Sequence, residues 1–189
     1  PAKRIFTIGI TGTDGKTTTA SLIFHILKTA GKKAAIINTL GAQIQDQSFE
    51  TGLHTTTPSS FAIQKYVKKA IDQGCEFLVL EVTSHALDQN RVHGIDFKIG
   101  VVTNITHEHL DYHRSFENYL RAKSKLLRSA ETAVLNGDDE SYGSLKNMLA
   151  DRNIITYSTK DKENYIFPGL AAFNISNFLA AISVASIVG

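Results

Sequence analysis

Hydrophobic and polar positions follow two periods along this chain. Short β-rich runs recur at Arg4–Ile10 (RIFTIGI), Lys33–Thr39 (KAAIINT), Phe77–Val82 (FLVLEV), Ile99–Thr103 (IGVVT), Ala133–Asn136 (AVLN) and Asn153–Tyr157 (NIITY). FLVLEV is almost wholly apolar, as a strand covered on both faces should be. Between the runs, apolar residues return every three or four positions. Ile23, Ile26, Leu27 and Ala30 share a helical face, and Gly31 stops that helix. Pro58 sits where a helix can start, and Phe61, Ile63, Tyr66, Val67 and Ala70 suit one that ends near Gly74. Further helices fit 115–129, 139–150 and 174–188, while residues 41–54, with several Gln and two glycines, read as a loop or hairpin. Strand and helix alternating in this way predict an α/β fold: a mostly parallel sheet flanked by helices.

Composition narrows the setting. A chain of 189 residues with no internal repeat, low-complexity tract or linker reads as one domain. With 42% hydrophobic and 20% charged residues, disorder, collagen and coiled coil are excluded as the main description. No stretch approaches the ~18 apolar residues of a membrane span, so no membrane partner is expected. The opening PAKRIFTIGI lacks the long apolar core of a signal peptide. The single Cys75 excludes an internal disulfide framework and a multi-cysteine metal site, and fits a reducing, cytoplasmic setting. A net charge of +2 suits anionic small molecules and gives no reason to expect nucleic acid. The apolar stretch Ala180–Val188 stops at Gly189 without a polar tail, so the chain is expected to be part of a longer protein.

Candidate chemistry gathers at strand ends. The first strand runs into Thr11-Gly12-Thr13-Asp14-Gly15-Lys16-Thr17-Thr18, and a helix follows. Glycines let backbone N–H groups turn toward a phosphate, and the helix N-terminus adds partial positive charge. Lys16 would reach the β- and γ-phosphates, and Thr17 would set its hydroxyl on Mg²⁺. Ile10 occupies the first glycine position of the common G-x-x-x-x-G-K-[ST] spacing, so the match is to the variant G-T-x-G-K-T. Glu81 closes FLVLEV at the carboxyl edge of the sheet, where open α/β folds bind ligands, and is a candidate Mg²⁺ ligand. His107, His109 and His113 have spacings that zinc can use, but no cysteine supports them; magnesium or substrate is the better reading. Lys123 shares an apolar helical face with Phe116, Tyr119, Leu120, Leu126 and Leu127. A lysine there must find an anion, snorkel or lose its charge.

Taken together, these motifs resemble the central ATP-binding domain of the Mur ligase family over nearly the whole chain. The resemblance rests on TGTDGKTT at 11–18, TTP at 56–58, EVTSHAL at 81–87, QNR at 89–91, Asn104 with HLDYH at 109–113, YLRAK at 119–123, NGDD at 136–139 and FNISN at 173–177. It implies a P-loop-like domain in an ATP-dependent ligase that adds an amino acid to UDP-MurNAc-L-Ala-D-Glu through an acyl phosphate. Residues Gly12, Thr13, Asp14, Gly15, Lys16, Thr17 and Thr18 would bind ATP, with Asn174 or Asn177 near the adenine. Thr17, Glu81, His109 and Lys123 would serve Mg²⁺. Lys123 matches the lysine that is carbamylated in this family. Thr55, Thr56, Thr57, Thr83, Gln89 and Arg91 would hold the UDP-sugar dipeptide. The family's N-terminal UDP-binding and C-terminal amino-acid-binding domains are expected to lie outside residues 1–189. A folylpolyglutamate synthase fits the TTP and TSHAL segments less well. A nucleotide-binding module without turnover is the reading from another class. Asp14, where Asn is more usual, adds negative charge near the phosphates.

Overall fold

The computed structural model describes residues 4–51, 56–106, 108, 110–160 and 171–189. In chain order its elements are β1 (Phe6–Thr11), α1 (Lys16–Thr29), β2 (Ala34–Asn38), β3 (Gly41–Ile44), β4 (Gln47–Phe49), α2 (Ser60–Asp72), β5 (Phe77–Glu81), α3 (Ser84–Asp88), β6 (Phe97–Val102), α4 (Leu110–His113), α5 (Phe116–Ser129), β7 (Thr132–Asn136), α6 (Tyr142–Met148), β8 (Asn153–Tyr157) and α7 (Ala172–Val188). Among the described residues the strands form one sheet in the order β4-β3-β2-β5-β1-β6-β7-β8. Pairing is parallel from β2 to β8, and the β3–β4 hairpin adds two antiparallel strands at one edge. This is the mostly parallel α/β architecture the periodicity predicts.

Alternate residues of the buried strands feed two faces. Ile8, Ile10, Ile36, Val79, Ile99, Val101 and Val134 pack under α1 and α7. Ala35, Ile37, Leu78, Leu80 and Phe97 pack on the other face with Ile63 and Val67 of α2 and Leu126 of α5. A third cluster joins Ala133 and Leu135 to Tyr119, Leu120 and Leu127 of α5 and to Leu145 of α6. Gly9 lets α5 approach closely: a Cβ there would lie 2.7 Å from Leu126 Cδ1 and from the Phe97 ring.

Register decides where the site falls. Ile10 stands opposite Glu81, Thr11 opposite Val102, and Ile37 opposite Leu80. The loops after β1, β2, β5 and β6 therefore leave the sheet at one carboxyl edge, which is where α/β sheets bind ligands.

Four local expectations are corrected. Pro58 precedes the helix rather than opening it, because the Ser59 hydroxyl caps α2 by accepting from Ala62 N at 3.4 Å. Phe61, counted toward the apolar face, is 83% exposed in the first turn, and Ala30 is exposed at the end of α1. The helix expected over 139–150 is confined to Tyr142–Met148. Asp139 is spent on a turn instead, accepting from Ser141 N at 3.0 Å and Ile105 N at 3.2 Å.

Candidate nucleotide-binding active site

The phosphate loop joins β1 directly to α1. Gly15 caps α1 in the left-handed region at φ 75°, a conformation glycine adopts without strain. Both loop glycines are also required by space. A Cβ on Gly12 would lie 1.8 Å from Thr103 Oγ1, and one on Gly15 would lie 2.3 Å from Asn177 Oδ1. No acidic residue occupies the first turn of α1 and no side chain caps it, so its leading N–H groups face the loop. Lys16 Nζ donates to the Thr13 carbonyl at 2.6 Å, which holds the ammonium over the loop.

The segment after β6 clamps this loop. Thr13 N donates to the Asn104 carbonyl at 2.8 Å, and Asp14 N donates to Asn104 Oδ1 at 2.8 Å. Thr103 Oγ1 and Asn104 Nδ2 donate back to the Asp14 carbonyl at 2.6 and 3.2 Å. Asp14 is thus held by its backbone, while the residue itself is exposed. That explains how an acidic side chain is accommodated in a loop shaped for anions.

Glu81 ends β5 at 1% exposure, yet its carboxylate is well satisfied. Thr17 Oγ1 donates to Oε1 and Oε2 at 3.0 Å each, and Thr39 donates its N–H at 3.1 Å and its hydroxyl at 3.2 Å to Oε2. A threonine hydroxyl beside a carboxylate is a hard-oxygen donor set. It fits Mg²⁺, which takes only one or two protein ligands alongside nucleotide phosphates.

Lys123, also 1% exposed, has no such arrangement. Its Nζ donates to the Gly12 carbonyl and lies 4.5 Å from the centre of the Tyr119 ring. Burial is the main cause that holds its pKa well below the usual lysine value, and the neighbouring Lys16 charge adds to it; Glu108 and Asp14 oppose. Tyr119 in turn pairs its hydroxyl with Thr13 Oγ1 at 3.2 Å, so α5 meets the phosphate loop twice.

The expected dipeptide-holding residues gather beside Glu81. Thr57 Oγ1 donates to the Glu81 carbonyl at 3.1 Å and accepts from Thr83 N at 3.0 Å. Arg91 donates to the Thr57 carbonyl and to Gln89 Oε1, both at 2.9 Å. Thr56 Oγ1 stands 3.2 Å from Thr39 Oγ1. On the opposite side of the loop, a cavity of about 570 Å³ is lined by Asp14, Gly15, Thr18, Asn104, Phe173 and Asn177. Asn177 also accepts from Thr19 Oγ1 at 3.3 Å. Asn174, three residues earlier on α7, does not line this cavity. Thr55 and His109 lie outside the described residues.

Sequence reading assigned no role to Thr39, Thr103, Asn104 or Tyr119. Thr39 follows β2 at the same edge as Glu81, and that position was the signal available for it. Among the described residues no group of three or more His, Cys, Asp and Glu side chains is placed to hold a metal. No helix of the described residues is long and apolar enough to cross a membrane.

A strand, a glycine loop and a helix, with a buried carboxylate on the neighbouring strand, define a P-loop-type nucleotide-binding α/β domain. Residues 10–170 match the model of the Mur ligase middle domain, and the chain belongs to that family. A UDP-N-acetylmuramoyl-L-alanyl-D-glutamate–2,6-diaminopimelate ligase of Geobacillus thermodenitrificans is 42% identical over 190 residues, covering 93% of this chain and 38% of that protein. A protein of the same name from Thermosynechococcus vestitus is 36% identical over 217 residues, covering 100% of this chain and 43% of that one. A solved structure of such a ligase superposes with a TM-score of 0.85 at 29% identity, covering 100% of this chain and 44% of that one. The chain therefore spans less than half the length of the curated relatives it matches.

Proposed function

We propose that this chain is the ATP-binding part of a longer cytoplasmic ligase that joins an amino acid to UDP-MurNAc-L-Ala-D-Glu in peptidoglycan precursor synthesis. The relatives' names give 2,6-diaminopimelate as that amino acid, and it is the amine we assign. On this reading residues 1–189 are the central domain, and the parts that bind UDP and the incoming amino acid lie elsewhere in the protein. The observation that carries it is the pairing of the phosphate loop with Glu81 through Thr17, at 3.0 Å to both carboxylate oxygens.

On this reading the residues divide the work as follows. Lys16 and the leading N–H groups of α1 bind the ATP phosphates, and Asn177 borders the cavity on the adenine side. Thr17 and Glu81 would hold Mg²⁺, and His109 would be a ligand of a second Mg²⁺; bound Mg²⁺ supplies charge neutralisation at the phosphoryl oxygens. Thr55, Thr56, Thr57, Thr83, Gln89 and Arg91 hold the sugar dipeptide. Arg91 uses two of its five N–H donors internally and offers the rest to an anionic substrate. Lys123 is suited to carbamylation. Burial favours its neutral amine, whose lone pair adds to CO₂; loss of a proton then leaves an anionic carbamate. In the reaction the D-glutamyl carboxylate attacks the γ-phosphorus, ADP leaves, and the amine displaces phosphate from the acyl phosphate.

Calorimetric titration of MgATP tests the nucleotide role. Wild type is expected to bind, and Lys16→Ala to lose about 100-fold or more in affinity, the scale of losing charge-assisted hydrogen bonds to phosphate. Equal affinities, or no binding by wild type, would overturn it. The chain alone is expected to form no ligation product.

A further inference from the structure

We propose that Thr39 is a positioning residue that aims the Glu81 carboxylate at Thr17 and couples it to Thr56. The inference rests on the reading that Thr17 and Glu81 hold the divalent cation of a bound nucleotide.

The case begins with how few groups set the carboxylate's orientation. Glu81 is buried at the last position of β5, so its side chain projects past the edge of the sheet into the gap between β2 and α1. An ionised carboxylate only accepts hydrogen bonds, and two of the described residues donate to it here. Thr17 reaches both oxygens at 3.0 Å and leaves the rotation of the group open. Thr39 breaks that symmetry: its N–H at 3.1 Å and its hydroxyl at 3.2 Å both fall on Oε2. One oxygen is therefore tied to the end of β2, and Oε1 is left with the Thr17 hydroxyl alone. A cation held at Thr17 meets a carboxylate already turned toward it, and the ordering cost is met in the fold.

The hydroxyl of Thr39 has one proton, and three oxygens lie within reach: Glu81 Oε2, Thr56 Oγ1 at 3.2 Å and Thr17 Oγ1 at 3.4 Å. The carboxylate is the strongest acceptor of the three. Thr39 Oγ1 is placed to donate to Glu81 Oε2 or to Thr56 Oγ1, so the two oxygens compete for its one proton, and this hydroxyl links the segment proposed to hold the dipeptide to the group proposed to hold the metal. Among the described residues Thr39 is the one hydrogen-bonded to both Thr56 Oγ1 and the Glu81 carboxylate, and Thr56 is half-buried, where a ligand can reach it. A substrate that draws the Thr56 hydroxyl away leaves the Thr39 proton to Glu81 alone and so alters the carboxylate. Thr39 itself touches no phosphate and takes no part in bond making.

The test compares affinities for ADP with Mg²⁺ and with EDTA, by calorimetry on this chain. Thr39→Val keeps the backbone donor and removes the hydroxyl. It is expected to lower the Mg²⁺-dependent gain in affinity about ten-fold, the scale of one hydrogen bond to a charged group, and to leave the metal-free affinity as in wild type. Thr39→Ser should restore the gain. Thr56→Val leaves the Thr39 proton to Glu81 alone and should raise the gain by a smaller factor, and by none when Thr39 is already Val, as a coupled pair requires. Equal loss with and without metal in Thr39→Val, or no loss, overturns the positioning role. Should Thr39→Val fail to fold, Thr56→Val still decides: a gain equal to wild type removes the coupling. Glu81→Gln is run alongside. If it keeps the full Mg²⁺-dependent gain, the metal-site reading itself fails. If it loses the gain while Thr39→Val keeps it, only the present inference fails.

Discussion

Two buried charges lie on either side of the phosphate loop, and the fold treats them in opposite ways. Glu81 and Lys123 are each 1% exposed. Around Glu81, the ends of β2 and β5 and the start of α1 converge three donor groups on one carboxylate. Around Lys123, α5 and the loop supply one carbonyl and the face of a ring. A buried charge is tolerated when it is paired and hydrogen-bonded, and otherwise shifts toward its neutral form. The Glu81 region is therefore built to keep its charge, and the Lys123 region to give its charge up. For a site that handles phosphoryl groups, the first is what a cation-holding carboxylate needs. The second is what an amine needs if it is to react with CO₂.

The largest effect expected from this contrast is on turnover. In the longer protein, Lys123→Ala should lower kcat by about 100-fold or more, since on the proposed reading it removes the anionic carbamate that assists Mg²⁺ binding. A short carboxylic acid added to the assay should restore part of the rate by standing in for the carbamate. Activity equal to wild type would remove the carbamate role and leave Lys123 as a packing residue.

Stability should separate the two regions by sign. Glu81→Leu takes the acceptor from the Thr17 hydroxyl and from the Thr39 N–H and hydroxyl, on a half-buried and an exposed residue that water can reach. It is expected to destabilise the chain by about 1–2 kcal/mol, read as the shift in a urea midpoint. Lys123→Met has similar volume and removes a poorly paired buried amine. It is expected to stabilise by about 2–3 kcal/mol. Two changes of the same sign would collapse the contrast between a satisfied and an unsatisfied charge.

How much of this was visible in the sequence depends on how local each cause is. The strand β5 falls within a residue of its apolar run, because a strand covered on both faces needs apolar side chains at nearly every position. Phe61 went astray because periodicity counts any apolar residue toward the buried face, while a first-turn position can point outward. The phosphate loop, Glu81 and Lys123 stood out because their chemistry is out of place locally: glycines before a helix, and charges on apolar elements. Thr39, Asn104, Thr103 and Tyr119 carried no such mark. Their contacts to Glu81, Asp14 and Thr13 bridge separations of 42, 90, 89 and 106 residues. Only the register of the parallel sheet brings them together, and register is a property of the fold rather than of any one segment.

The smallest effect, and the most direct reading of the lysine's environment, is the pH dependence of the Lys123→Met gain. The folded pKa of Lys123 lies well below 10.5, and the unfolded chain holds the ordinary value. Below the folded pKa both states bind the proton, so the penalty for burying the ammonium is complete and flat. Between the folded and unfolded values the unfolded chain binds more protons, and the stability of wild type rises with pH. The advantage of Lys123→Met should therefore shrink as pH climbs toward 10.5, by at most about 1.4 kcal/mol for each pH unit. Lys16, Glu108 and Asp14 are the charges that act on position 123, and both proteins keep them, so the difference isolates the residue at that position. The comparison needs CO₂-depleted buffer, because a carbamate would replace the titrating amine. Urea midpoints of the two proteins, taken from about neutral pH upward, supply the difference. A gap that stays constant across that range would mean that Lys123 keeps its proton when folded, and the region around α5 would then be stabilising the charge after all.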